Sequence, residues 1–103
     1  MPGEGALTRT RKETKMQTVW KYEINSDDYV SLNLPLGAKP LEVQKQHGHV
    51  YLWCLVDPQQ TIHEKRTFRL AGTGHPIKDN VDFIGTFQLD GGALVFHLFE
   101  VKE

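Results

Sequence analysis

Residues 83–101 read FIGTFQLDGGALVFHLFEV, and this stretch decides the fold class. Two runs rich in β-forming residues, Phe83–Leu89 and Ala93–Val101, flank the tripeptide Asp90-Gly91-Gly92. Glycines that follow an aspartate readily adopt the positive φ angles that a tight hairpin needs. The stretch therefore predicts two antiparallel strands joined by a short turn.

The same alternation of strand and turn signals continues towards the N-terminus, where no window holds a helical period. Five further strands are predicted there: Thr18–Glu23, Tyr29–Leu34, Leu41–Gln46, Val50–Val56 and Thr61–Leu70. The runs Val50–Val56 and Ala93–Phe99 are apolar on both faces, which is typical of strands in the middle of a sheet. Apolar and polar residues alternate in Leu41–Gln46, which predicts that Leu41 and Val43 face inward.

Seven strands in a chain of 103 residues predict an all-β domain. We expect a compact antiparallel sandwich or a partly open barrel. His47-Gly48-His49 predicts a tight hairpin, with glycine supplying the turn. The longest irregular stretch, Gly72–Asp82, leaves room for one short helical turn near Lys78–Val81.

The first 15 residues, MPGEGALTRTRKETK, differ in composition from the rest of the chain. They contain few apolar residues, so they cannot bury enough surface to offset the entropy of ordering them. Residues 1–15 are therefore predicted to be a disordered tail or N-terminal extension, and residues 16–103 a single β domain. Met16 stands where the globular pattern begins, which makes it a candidate alternative start.

Charge and cysteine content narrow the classes of partner and compartment. Lys and Arg number 12 and Asp and Glu number 13, a net charge of −1, so nucleic acid is an unlikely partner. One cysteine permits no intrachain disulfide, which fits a reducing, cytoplasmic setting. Apolar runs are too short for a membrane span, so no membrane association is expected. No cofactor is expected either.

One loop has a composition that could bind an anion. Gly72, Thr73, Gly74 and His75 could direct backbone amides, a hydroxyl and an imidazole at one phosphate group. The loop up to Pro76 lacks the lysine of a P-loop. The other interpretation is a structural loop whose glycines adopt positive φ.

Metal binding and catalysis find less support in the sequence. His47 and His49 are two residues apart, with His63 or His75 as a third ligand, but a turn at Gly48 would rotate the first two rings apart, and no metal site is predicted. Two residues of types that can take part in catalysis, Cys54 and His97, lie in apolar strands. We expect Cys54 to be buried and inert, and His97 to be a hydrogen-bonded core histidine, so an enzyme is not expected.

Aromatic residues outnumber what so small a core can hold. Trp20, Tyr22 and Tyr51 are therefore candidates for a partner-binding surface. The other interpretation is that the rings fill a small barrel. Trp53 and Phe96 lie in the two most apolar strands, and we expect both to be buried in one cluster.

Several stretches together resemble a family of small bacteriophage and prophage proteins that share a domain of unknown function. The most specific are GTGHPI at residues 72–77 and IGTFQLDGGALVFHLFE at residues 84–100, and the resemblance covers residues 16–101. It implies a phage setting, in which small proteins often bind a host protein or sequester a host signal. It implies no catalytic residues.

These observations lead to two main functional hypotheses. The first is a phage-derived, non-enzymatic binding protein that modulates or inhibits a host component through protein contacts, as a homo-oligomer in the host cytoplasm. The second is a small-molecule binder that sequesters a phosphorylated ligand or signalling nucleotide at the Gly72–Pro76 loop. A third hypothesis is a hydrolase or metal-dependent enzyme that uses His75 or His97.

Overall fold

The structure, a computed structural model, describes residues 14–102. It contains seven strands, which confirms the all-β prediction, and each predicted strand overlaps an observed one. The strands are β1 (Thr18–Ile24), β2 (Tyr29–Pro35), β3 (Lys39–Gln46), β4 (His49–Val56), β5 (His63–Gly72), β6 (Val81–Leu89) and β7 (Leu94–Val101).

The strands form two antiparallel sheets packed face to face. The three-stranded sheet has the order β1-β4-β3, and the four-stranded sheet has the order β2-β5-β7-β6. The strands β4 and β7, predicted to be central because both their faces are apolar, each have a neighbour on both sides. Two adjacent hairpins, β3–β4 and β6–β7, join strands that are consecutive in the chain.

The core lies between the sheets and is built by alternation along each strand. Alternate side chains point into the core because successive residues of a strand face opposite sides. The fully buried members come from both sheets and include Leu34, Val43, Leu52, Cys54, Phe68 and Leu98. Burying these side chains supplies the main driving force for folding.

The sheets meet closely where β3 lies against β6. A Cβ atom on Gly85 of β6 would lie 3.0 Å from Cγ1 of Val43 in β3. No ladder of the described residues joins these two strands, nor β1 to β2. Of the two predicted architectures the fold is therefore the sandwich, and side-chain packing brings the β3 and β6 edges of its two sheets together.

Leu41 does not face the core, and the prediction that it does is wrong. A β-bulge shifts the register between Pro40 and Glu42, so Leu41 has no partner in β4. Leu41 is the inserted residue, so its side chain does not follow the inward–outward alternation of β3, and it is 42% exposed. Val43 is buried, as predicted.

The expected helical turn is also in a different place. Lys78–Val81 contains none, and the one 3-10 turn of the described residues is Asp90–Gly92, in the β6–β7 hairpin. Asn80 lies in a bend and is tied to the end of β7 instead: its carbonyl accepts from the Lys102 amide at 2.7 Å, and its side-chain amide donates to the Lys102 carbonyl at 3.1 Å. These bonds continue the β6–β7 ladder past its end.

The predicted hairpin at residues 47–49 is present. His47 and Gly48 both have positive φ angles, 52° and 83°, and they connect β3 to β4. Two consecutive positive φ angles suit the right-handed twist of the flanking strands.

The prediction for the N-terminal tail falls almost entirely on residues outside those described. Of residues 1–15, only Thr14 and Lys15 are described, and both are exposed and outside any strand. Within the described part of the chain, no helix has the length and apolar character needed to span a membrane.

Candidate functional site

The outer side of the three-stranded sheet carries a row of three rings along its central strand. Leu52 and Cys54 of β4 point into the core, so the odd-numbered residues of that strand face away from it. His49, Tyr51 and Trp53 follow one another there, with ring centroids 6.4 Å apart for the first pair and 5.9 Å for the second. We call this surface, with its neighbours from β1 and β3, the aromatic face.

Polar side chains from the flanking strands fix the rings of the aromatic face. Lys21 of β1 places Nζ 4.3 Å from the centroid of the Tyr51 ring and donates a hydrogen bond to Gln46 of β3 at 2.8 Å. A single lysine thus crosses all three strands above Tyr51, combining a cation–π contact with a hydrogen bond. At the end of the row, His49 Nδ1 lies 2.7 Å from Glu23 Oε2.

Trp53 belongs to the aromatic face, so the prediction that it is buried with Phe96 is wrong. Its register partners are Lys21 and Glu42, both on the outer side of the sheet, and its ring is half-buried. Phe96, in contrast, packs against the core cluster. When both faces of a strand are apolar, the sequence does not show which face packs against the core.

The three predicted partner-binding residues lie on two different sides of the sheet. Trp20 and Tyr22 pair with Cys54 and Leu52, whose side chains enter the core, so both rings face inward, whereas Tyr51 faces outward. Trp20 is 41% exposed, whereas Tyr22 packs against the core. Burial, followed by the nearby Cys54 thiol, raises the pKa of Tyr22.

The Gly72–Pro76 loop is folded onto itself. Three of its amides donate within the protein: Gly72 to His75 Nδ1 at 3.3 Å, Thr73 to the Val95 carbonyl at 3.4 Å, and His75 to the Gly72 carbonyl at 3.0 Å. The His75 ring lies over Gly72, where a Cβ atom would be 3.1 Å from Cε1. These three amides are therefore not free to converge on a phosphate group in this conformation.

His97 links this loop to the four-stranded sheet. Its Nε2 lies 2.8 Å from Thr73 Oγ1 and its Nδ1 lies 2.9 Å from Thr86 Oγ1. The predicted hydrogen bonding is therefore present, but the ring is half-buried on the outer side of β7, opposite the core residue Leu98. Beside it, Gly72, Thr73 and His75 border a pocket of about 310 Å³.

An ion pair between Arg66 and Glu100 lies inside the sandwich, close enough to the buried Cys54 thiol to act on it electrostatically. Arg66 donates from Nε and Nη2 to the two carboxylate oxygens of Glu100, the second at 3.0 Å, and from Nη1 to the Ala38 carbonyl at 2.8 Å. The hydrogen bond to Glu100 raises the pKa of Arg66. Burial raises the pKa of Cys54 to about 11, so the thiol is neutral near pH 7 and a poor nucleophile, as predicted.

Metal ligands do not gather in the part of the chain that the structure describes. No group of three His, Cys, Asp or Glu side chains there is close enough to hold a metal ion. His47 occupies the hairpin turn, and His49 begins β4 and contacts Glu23.

A pocket that the sequence did not reveal opens at one end of the sandwich, and we call it the end pocket. It has a volume of about 350 Å³ and lies where the β1–β2 turn and the β3–β4 and β6–β7 hairpins come together. Its apolar lining residues are Ile24, Val50, Leu70, Phe87, Leu89, Leu94 and Phe96. The only sequence signal was apolar residues that flank turns, and turns alone do not show which strand ends meet.

Comparison with known proteins places the chain in a family. No curated protein and no solved structure gives a significant match. The model of a family described as a domain of unknown function (DUF7352) matches residues 16–103, the stretch predicted to be one domain. The chain belongs to this family.

Proposed function

We propose that the protein is a small, non-enzymatic binding protein that recognises a partner protein through the aromatic face. The observation that carries this proposal is the row of His49, Tyr51 and Trp53 on the outer side of a central strand. Tyrosine and tryptophan are enriched among residues that dominate binding energy at protein interfaces.

The rigidity of the row favours binding. The rings stand on β4, which is paired on both sides, and Lys21 holds Tyr51 from above. Side chains that are already ordered lose little conformational entropy when a partner docks. Polar groups around the rings, Gln44 among them, can form the hydrogen-bonded rim of an interface.

The groups suited to catalysis are engaged in other roles, which supports a non-enzymatic function. The Cys54 thiol is buried and has a raised pKa. Both nitrogens of His97 contact threonine hydroxyl groups that tie a loop to the sheet.

We further propose that the partner is a host protein. The stretches 72–77 and 84–100 resemble phage proteins, and a phage protein of this size would act in the cytoplasm of its host. A homo-oligomer is part of the same proposal, because β1 is an edge strand within residues 14–102 and an edge strand can pair with a second copy of the chain.

The experiment compares three alanine variants in quantitative pull-downs from a bacterial lysate. Tyr51→Ala and Trp53→Ala should each weaken retention of the partner by tenfold or more, as expected for loss of about 2 kcal/mol at a hot spot. The matched control is Tyr29→Ala, which removes a 52% exposed ring on the other sheet. Equal retention by all the variants would contradict the proposal.

A photo-crosslinking amino acid at Gln44 adds a test of location. Gln44 pairs with Tyr51 and lies on the aromatic face. The same partner should crosslink from this position and fail to crosslink from Tyr29. Crosslinking from Tyr29 alone would place the interface on the four-stranded sheet.

A phosphorylated ligand at the Gly72–Pro76 loop is the second candidate function, favoured by the 310 Å³ pocket beside it. Inorganic phosphate and a set of nucleotides should be tested by thermal shift. A ligand at 100 times its Kd should stabilise the protein by about 2.7 kcal/mol. Thr73→Val should remove the shift, and no shift with any compound would reject this candidate.

A further inference from the structure

The end pocket has walls suited to an apolar ligand. The rings of Phe87 and Phe96 stack within it at a centroid distance of 5.8 Å and an interplanar angle of 26°. Leu94 remains 44% exposed although it lines the pocket. Apolar surface that faces water in a concave site is stabilised when a ligand covers it, and about 350 Å³ is within the range of small-molecule sites.

The mouth of the end pocket is polar and carries an acid. Glu23, Asn25, Ser26 and His49 border it, and no lysine or arginine is among the lining residues of this pocket. The Glu23 side chain is 56% exposed, and its Oε2 contacts Nδ1 of His49. An arriving positive charge would therefore meet a carboxylate that water can still reach.

We propose that the end pocket binds a small amphipathic amine, with its apolar part against Phe87 and Phe96 and its ammonium group at the Glu23 carboxylate. A protonated amine donates up to three hydrogen bonds, and one made to a carboxylate is charge-assisted. Asn25 and Ser26 can accept further hydrogen bonds from the same group. The proposal does not rest on the proposed protein partner, although His49 and Glu23 also stand at the edge of the aromatic face.

The test is an NMR titration with three probes that share one alkyl chain: octylamine, octanol and octanoate. All three should be used below their aggregation limits. Octylamine should bind most tightly, octanol more weakly and octanoate most weakly. The largest amide shifts should be at Ile24, Val50 and Leu89, which line the end pocket and not the pocket beside Thr73. Failure of all three to bind, equal binding of octylamine and octanoate, or shifts confined to other residues would overturn the proposal.

Two pairs of variants separate the contributions of charge and apolar contact. Glu23→Gln should weaken octylamine by about tenfold or more and leave octanol unchanged, because only the ammonium group loses a charged acceptor. Its control is Glu42→Gln, a carboxylate on the same sheet that bonds Gln44 and does not line the pocket. If Glu42→Gln weakened octylamine as much as Glu23→Gln, the ammonium site would be rejected.

Leu94→Gln should weaken octylamine and octanol together, because it makes the wall polar. Leu94 is largely solvent-accessible, so this variant should fold. The control is Leu36→Gln, an equally exposed leucine in the β2–β3 turn. Unchanged binding by Leu94→Gln would reject the pocket as the binding site.

Discussion

Gly85 in β6 lies so close to Val43 in β3 that a Cβ atom on the glycine would be 3.0 Å from Val43 Cγ1. The Glu42 Oε1 atom would be 3.3 Å from the same Cβ position. Because no ladder joins these two strands, the missing side chain at residue 85 sets how closely the two sheets approach at this edge. The first prediction concerns this contact.

Gly85→Ala should lower the free energy of unfolding by about 1–3 kcal/mol, the usual cost of overpacking a core. Val43→Ala should also destabilise the protein, by leaving a cavity. In the double variant the smaller residue at 43 makes room for the new methyl group, so the combined loss should be less than the sum. Urea denaturation of the four proteins measures this, and strictly additive losses would show that the two residues do not interact.

The second prediction concerns the ion pair between Arg66 and Glu100, whose side chains are only 16% and 20% exposed. Glu100→Gln should cost about 3 kcal/mol, because the mostly buried guanidinium loses its two-bond partner and keeps one carboxylate contact, from Nη1 to Glu64 Oε2 at 3.3 Å. Replacing both residues, as in Arg66→Met with Glu100→Leu, should cost less than Glu100→Gln alone. Thermal and urea unfolding test this, and a double variant less stable than Glu100→Gln would contradict the prediction.

The third prediction is a loss of stability at high pH caused by Cys54. Its pKa rises from an ordinary 9.0 to about 11 in the folded protein, so between those values the unfolded chain loses the thiol proton and the folded protein keeps it. The contribution of the Cys54 thiol to the free energy of unfolding is therefore fully present below pH 9. It is lost as the pH rises towards 11, by up to about 1.4 kcal/mol per pH unit.

Cys54→Ala provides the control for the pH dependence. This variant is less stable at every pH because it leaves a cavity, but its stability should fall less steeply between pH 9 and 11. Both proteins should also carry Tyr22→Phe, because the Cys54 thiol contributes to the raised pKa of Tyr22 and Cys54→Ala would remove that contribution. Identical slopes in the two proteins would contradict the assignment to Cys54.

The fourth prediction compares neighbouring residues of β4. Leu52 is fully buried, so Leu52→Ala should cost about 2–5 kcal/mol. Trp53 is half-buried on the aromatic face, so Trp53→Ala should cost clearly less despite removing a larger side chain. Urea denaturation, monitored by far-UV circular dichroism, gives both values. A greater loss for Trp53→Ala would mean that its ring is needed for folding.

Strand positions were predictable because each strand carries a local signal, namely alternation between turn-forming residues. The bulge that exposes Leu41 was not, because one inserted residue leaves the apolar pattern of β3 nearly unchanged. The sequence also does not show which strands pair. The strand β1 pairs with β4, although two strands lie between them in the chain, and no local pattern of residues indicates this pairing.

The sequence predicted the type of residue at the candidate site but not which of these residues lie together. A surplus of aromatic rings was visible in the sequence, and Tyr51 does lie on the aromatic face. Which rings share a surface depends on register, and register places Trp20 and Tyr22 on the side away from Tyr51. The end pocket depends on three turns meeting in space, which is a property of topology alone.

The pairing of strands also has a consequence for how the chain reaches its native state. Only the β3–β4 and β6–β7 hairpins join consecutive strands, whereas β1 and β2 pair with partners distant in sequence. Closing long loops is entropically costly, so we expect a folding nucleus of the two hairpins, which meet where Gly85 packs on Val43. The edge strands β1 and β2 would then join last. Edge strands that join late are the ones most easily exchanged between two copies of a chain, so domain swapping at high concentration should involve β1 or β2.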